Sequence, residues 1–257
     1  MSTAEFLLEA WQWTVPAVVV IAAGVVLLGV QIAKKRSGRN VSLAAGILVL
    51  LVVSTVSPLA VLASGFLFTA HMIQHLLLLL IIPLLLVILL RGSRGSRRWQ
   101  RFSIILGWGA GVGAMWLWHE PNLCSLSVTS PAMQATQIAT LLAGGYLFWR
   151  PVWGARETQL QPGGAVAYLT SACLACTLLG IYIAFVPLTV CPVFASASTA
   201  NPVFQLVSDR WAISAAADQQ LGGLMMWVPA CSIYLGAILA QVGRWYGSEV
   251  MHPSRAN

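Results

Sequence analysis

The sequence predicts an all-α polytopic membrane bundle of seven transmembrane helices, and three observations predict it. Of 257 residues, 58% are hydrophobic and only 8% are charged, against about 25% charged in an average soluble domain. The mean hydropathy of +0.82 is too apolar for a water-exposed globule. Seven stretches approach the roughly 20 apolar residues that a bilayer-crossing helix needs, and none has the ten-residue alternation of a transmembrane β-strand. Together these exclude a soluble enzyme, a disordered chain and a nucleic-acid module.

The stretches follow one another along a single domain, 1–257. The first, about 13–33, is preceded by Glu5 and Glu9 and by no basic residue. It therefore reads as a retained span rather than a cleaved signal. The second, 41–63, is broken at Ser57-Pro58, where a kink or early exit is expected. The third covers 66–90, the fourth 102–118, the fifth 132–149 and the sixth 164–186. The seventh, 211–243, is long for one span, so its start is expected to be tilted or interfacial. Trp11, Trp13, Trp99, Trp149, Trp153, Trp211 and Trp245 stand near the ends and read as interfacial belts.

The net charge of +7 is distributed unevenly. Lys34, Lys35, Arg36 and Arg39 follow span one. Arg91, Arg94, Arg97, Arg98 and Arg101 follow span three. Arg150 and Arg156 follow span five, and Arg244 and Arg255 follow span seven. Of the 14 basic residues only Arg210 falls on the opposite side. The positive-inside rule makes the basic side cytoplasmic, with the N-terminus outside and the C-terminus inside. These loops orient the helices and contact membrane lipid; no nucleic-acid partner is expected.

Ionisable groups within spans are costly and are functional suspects. They are His71, His75, His119 and Asp218. His71 and His75 are spaced i, i+4, which puts two imidazoles on one helix face about 5–6 Å apart, close enough to share a metal ion. His119 closes span four. Asp218 lies about 10 Å into span seven at 1.5 Å per residue. Three helices thus carry their ionisable groups to one outer layer. Helical geometry puts Asp218, Gly222, Met225 and Pro229 on one face, and Met115 one turn below His119. Thioether with imidazole suits copper, above all Cu(I); imidazole and carboxylate alone would also suit zinc or iron. The bland alternatives are hydrogen-bonded packing histidines, core-filling methionines and an Asp218–Arg210 pair. Bis-histidine haem ligation by His71 and His119 is a further alternative.

Cys173 and Cys176 are i, i+3 near mid-membrane and could bind soft metal, act in redox chemistry or simply pack. Cys124 and Cys191 both fall in outer loops, where an exposed pair can oxidise to a disulfide. Cys231 reads as structural.

Thr69-Ala70-His71-Met72-Ile73-Gln74-His75 followed by a leucine run and Pro83, Trp118-His119-Glu120-Pro121, and Asp218-Gln219-Gln220-Leu221-Gly222-Gly223 together resemble the caa3-type cytochrome c oxidase assembly factor family, often called CtaG. The likeness spans about 66–245. It implies a multi-pass protein of the bacterial inner membrane that serves maturation of a haem-copper oxidase in the respiratory chain and handles copper for it, a metallochaperone rather than an enzyme. On that reading His71, His75 and His119 are metal ligands and Asp218 is a ligand or orients one. Met225 is a soft ligand, while Gln219, Gln220 and Met115 are supports. Expected partners are an oxidase subunit and a periplasmic copper donor. The competing functions are a copper transporter, an accessory oxidase subunit and a haem-binding redox protein. The outer loop 187–210 is the natural docking surface.

Overall fold

Prolines and hydroxyl residues set most of the helix boundaries. The computed structural model describes residues 2–34, 37–91, 100–155, 159–196 and 201–250, and every regular element among them is helical. Lys35, Arg36, Arg94, Arg97, Arg98, Trp99, Arg156, His252 and Arg255 lie outside the described residues.

Helix α1 (Thr3–Glu9) opens on a capping box in which Ser2 and Glu5 each accept the other's backbone N–H. Helices α2 (Val15–Lys34) and α3 (Gly38–Thr55) pack as a hairpin, with Ser37 capping α3. The chain breaks at the expected Ser57-Pro58 and restarts as α4 (Pro58–Ala63). Gly65 then takes φ +114°, a conformation strained for any residue with a Cβ. That turn leads into α5 (Phe68–Leu89). Within α5, Leu77–Ile81 is π-helical. Pro83 follows, and its missing N–H cannot close a regular turn onto Leu79. Next come α6 (Gln100–Leu117), α7 (Pro121–Thr129), α8 (Pro131–Trp153) and α9 (Pro162–Phe185). A 3-10 turn, Pro192–Phe194, precedes α10 (Pro202–Gln205), which runs into a π turn at Leu206–Arg210. Helix α11 spans Ala215–Val250. Proline stands in the first turn of α4, α7, α8, α9 and α10, where its missing N–H costs nothing.

Five helices are long and apolar enough to cross a membrane: α2, α3, α5, α9 and α11. Helix α6 supplies a shorter apolar segment, Ile104–Leu117. Helix α8 has 23 residues, but Gln134, Gln137 and Arg150 interrupt its apolar character. All seven expected stretches are therefore helical, and five of them meet the length and composition for crossing. The seventh differs in extent, since its regular helix starts at Ala215, after a turn in which Ala212 has φ 52°. The short helices α1, α7 and α10 carry too few apolar residues to show in a hydropathy reading.

Glycine lets the long helices approach closely. A Cβ on Gly180 would sit 2.5 Å from Trp227 Cβ, and one on Gly223 would sit 2.7 Å from the Ala184 nitrogen, so α9 and α11 meet nearly backbone to backbone. Gly144 of α8 has the same relation to the Ala110 carbonyl oxygen of α6, at 2.8 Å. Gly145 faces the π segment of α5, where an added Cβ would run into the Leu79 carbonyl and lie 2.7 Å from Pro83 Cγ. Gly145→Ala is therefore expected to destabilise the detergent-solubilised protein by about 1–3 kcal/mol or more in thermal unfolding. Gly109→Ala, with nothing within 4 Å, is the control and should be neutral or slightly stabilising.

The main core runs the length of the bundle around Leu78, Ile82, Leu141, Phe148, Trp149 and Leu169. Trp149 is fully buried and its indole N–H donates to the Leu80 carbonyl at 3.0 Å. It is a core residue, not part of a belt; Trp11, Trp13 and Trp245 are exposed as a belt requires. At one end a smaller cluster of Phe6, Val61, Leu62, Ala70, Leu206 and Val207 joins α1, α4, α5 and α10 into a cap. At the other end the guanidinium groups of Arg91 and Arg244 lie 5.8 Å and 5.9 Å from the Trp153 ring.

Candidate metal centre

Three helix ends meet under the cap: the start of α5, the end of α6 and the start of α11. Helix α5 begins without a capping side chain of its own. Asp218 of α11 supplies one from 150 residues away: its Oδ2 accepts the Phe68 N–H at 2.5 Å and its Oδ1 accepts the Thr69 N–H at 2.9 Å. The Thr69 hydroxyl lies 2.7 Å from Oδ1 and 3.1 Å from the Asp218 carbonyl oxygen. Helix N-termini carry unpaired N–H groups and partial positive charge, which a carboxylate satisfies. That accounts for a carboxylate only 5% exposed. Both of its oxygens are engaged by the helix end, and it acts on the histidines through the helix that carries them.

Gln74 fixes the same helix from another side. Its Nε2 donates to the Ser54 carbonyl at 2.6 Å. That carbonyl lost its helical donor because Pro58 has no N–H. The break in the second stretch and the polar residue between the two histidines are thus one arrangement.

The imidazoles of His71, His75 and His119 lie together and are 2%, 1% and 4% exposed. The ring centroids of His71 and His75 are 4.5 Å apart, and those of His75 and His119 are 5.2 Å apart. His71 Nδ1 donates to the Ala63 carbonyl at 3.2 Å, an acceptor left open by the end of α4. His119 Nδ1 donates to the Met115 carbonyl at 2.5 Å. That acceptor is open because the His119 N–H turns to Trp116 instead. A carbonyl only accepts, so Nδ1 carries a proton in both rings, and a neutral ring of that form keeps its lone pair on Nε2. His71 Nε2 has no hydrogen-bond partner, and neither ring nitrogen of His75 has one. His119 Nε2 lies 3.2 Å from Met72 Sδ. Backbone-fixed Nδ1–H with free Nε2 is how metal-binding histidines are held. Among the described residues no three His, Cys, Asp or Glu side chains converge on a single metal-sized point.

Met72 is the residue missed in sequence. It adjoins His71 and is fully buried, but a methionine in an apolar helix reads as filler. Met225, the thioether expected, is partly buried against the main core. Gly222, on its face, meets α5 closely, since a Cβ there would lie 3.3 Å from Met72 Cγ. Gln219 ties the end of α9 to the loop beyond it, accepting from Val190 N–H at 3.0 Å and donating to the Ile183 and Leu188 carbonyls at 3.2 Å and 3.0 Å. Gln220 is exposed and lines, with Gln219, Phe68 and Phe194, a cavity of about 480 Å³ at this end. Phe194 roofs the cluster, its ring centroid 5.5 Å from both His71 and Phe68. Cys124 and Cys191 are joined in a disulfide that ties α7 to the loop bearing Phe194. Glu120, next to His119, is exposed and caps α7 through the Leu123 N–H at 2.9 Å. The Leu123 N–H, with that of Asn122, holds its carboxyl below the usual carboxylate range.

A family model described as cytochrome c oxidase caa3 assembly factor matches residues 19–248. No curated protein and no solved structure matches the chain.

Proposed function

The chain belongs to the cytochrome c oxidase caa3 assembly factor family, and from that premise we propose that it holds copper at the His71, His75, His119 and Met72 cluster for a haem-copper oxidase. Copper is cargo here, and the protein needs no catalysis to carry it. The observation that carries this reading is the set of buried ring nitrogens: His71 is fixed through Nδ1 with Nε2 unpartnered, His119 is fixed through Nδ1 with Nε2 against Met72 Sδ, and neither nitrogen of His75 has a partner. Imidazole and thioether donors without a carboxylate favour the softer Cu(I) over zinc or iron.

In this reading the chain spans a bacterial inner membrane seven times, with α6 and α8 as the two spans of marginal composition. The basic end marked by Arg91, Arg150 and Arg244 faces the cytoplasm. The cap and the histidines then face the periplasm, on the side of an oxidase subunit and of a copper donor. The cavity beside Phe194 is the approach to the cluster.

The test is metal analysis of purified protein loaded with Cu(I) and desalted, wild type beside His71→Ala and His119→Ala. Both variants should bind copper roughly tenfold or more weakly, since even partners behind a ligand cost that much. Unchanged copper in both would end this reading. Copper uptake into sealed vesicles would instead favour a transporter.

A further inference from the structure

We propose that Cys173 and Cys231 form a reversible dithiol–disulfide couple within the bundle, separate from the histidine cluster and from the Cys124–Cys191 disulfide. The glycine contacts that press α9 against α11 bring these two thiols face to face. Cys173 Sγ and Cys231 Sγ are 3.0 Å apart, nearer than two sulfurs rest in plain contact and about 1 Å from a bond of roughly 2.05 Å. Cys231 Sγ also lies 3.4 Å from the Thr177 hydroxyl and 3.8 Å from the Cys173 carbonyl oxygen. The third free cysteine is differently placed. Cys176 is fully buried, and its thiol donates to the Met226 carbonyl at 3.3 Å. The i, i+3 pair on α9 is therefore not the reactive one; the pair runs between helices.

Two features favour oxidation over metal binding. Cys173 stands midway along α9 (Pro162–Phe185), where charge is costly in a membrane helix. Two thiolates holding one Cu(I) would carry a net negative charge, whereas a disulfide is neutral. Both thiols are also only partly buried, on a flank flanked by exposed Leu174 and Leu235, so a reagent dissolved in lipid reaches them. The step balances as a two-electron oxidation. Two S–H bonds break and one S–S bond forms. The two protons and two electrons pass to a lipid-soluble quinone, which becomes the hydroquinone; the reverse reaction restores the dithiol.

The experiment uses the full chain in phospholipid vesicles, treated with a fully ring-substituted alkyl benzoquinone, then quenched in acid, denatured and alkylated with maleimide. Intact mass spectrometry counts the labels. Wild type should carry three labels before quinone, one for each free cysteine, and one after it. The cross-linked peptide should join Cys173 to Cys231, and dithiothreitol after denaturation should give five labels, two of them from the reduced Cys124–Cys191 bond. Cys176→Ser should lose two labels in the same way, while Cys173→Ser and Cys231→Ser should lose none. Three labels persisting in wild type after quinone would overturn the proposal, as would a cross-link through Cys176. The outcome is independent of copper at the histidines.

Discussion

Replacing His75 with leucine is expected to make the protein more stable and unable to hold copper normally. The ring is 1% exposed and neither nitrogen has a partner. A buried polar group left unpaired costs about 1–3 kcal/mol, and leucine of similar bulk removes that cost. The copper-free variant should therefore unfold at a higher temperature than copper-free wild type. Saturating Cu(I) should reverse the order. A ligand that binds only the folded state stabilises it by about 2.7 kcal/mol at a hundred times its dissociation constant, and the variant should gain far less. Thermal unfolding of both proteins with and without Cu(I) reads both signs at once. If His75 only packs, leucine still stabilises, but the response to copper is the same in both proteins.

Asp218→Ala should be the most damaging single change in the capped end. It leaves the Phe68 and Thr69 N–H groups without their acceptor, while the Thr69 hydroxyl keeps only the backbone carbonyl of residue 218. At about 1–3 kcal/mol for each unpaired buried group, with the loss of charge at a helix N-terminus added, the expected cost is roughly 3 kcal/mol or more. Asp218→Asn keeps one acceptor oxygen and should cost about half as much. The pair separates two roles. As a cap, Asp218 can be replaced by Asn with copper stoichiometry intact below the unfolding temperature. As a ligand, it cannot, and Asn would lose copper while still folded. Metal analysis with unfolding curves on both variants decides between them, and retention in Asn is the expected result.

That His71, His75, His119 and Asp218 belong at one end of the bundle was legible in sequence because apolar spans act as rulers: residue number along a span converts to height along the bundle. That put four polar groups in one layer, and the structure packs the three imidazoles together. What the ruler does not measure is azimuth between helices. Met225 shares a helix face with Asp218, but nothing in one sequence says which neighbour that face meets. Met72 lay hidden for the same reason. Asp218 drew attention as a donor to metal, yet its partners are backbone N–H groups, which every helix start possesses and no letter marks. The Gln74–Ser54 bond was half legible, since Pro58 announces an orphaned carbonyl without naming its donor. The cap of α1, α4 and α10 was unreadable because its helices are too short to repeat an apolar period.

The bond from Asp218 to the start of α5 also sets a schedule. The two residues are 150 positions apart, and a ribosome adding roughly 5–20 residues per second needs about 8–30 s to cover that interval. For that time the histidine helix is in existence with its first turn unsecured. Only when α11 emerges does the carboxylate arrive that finishes it. A chain stopped short of Asp218 would thus carry His71, His75 and His119 and still lack the bond that secures the helix of the first two.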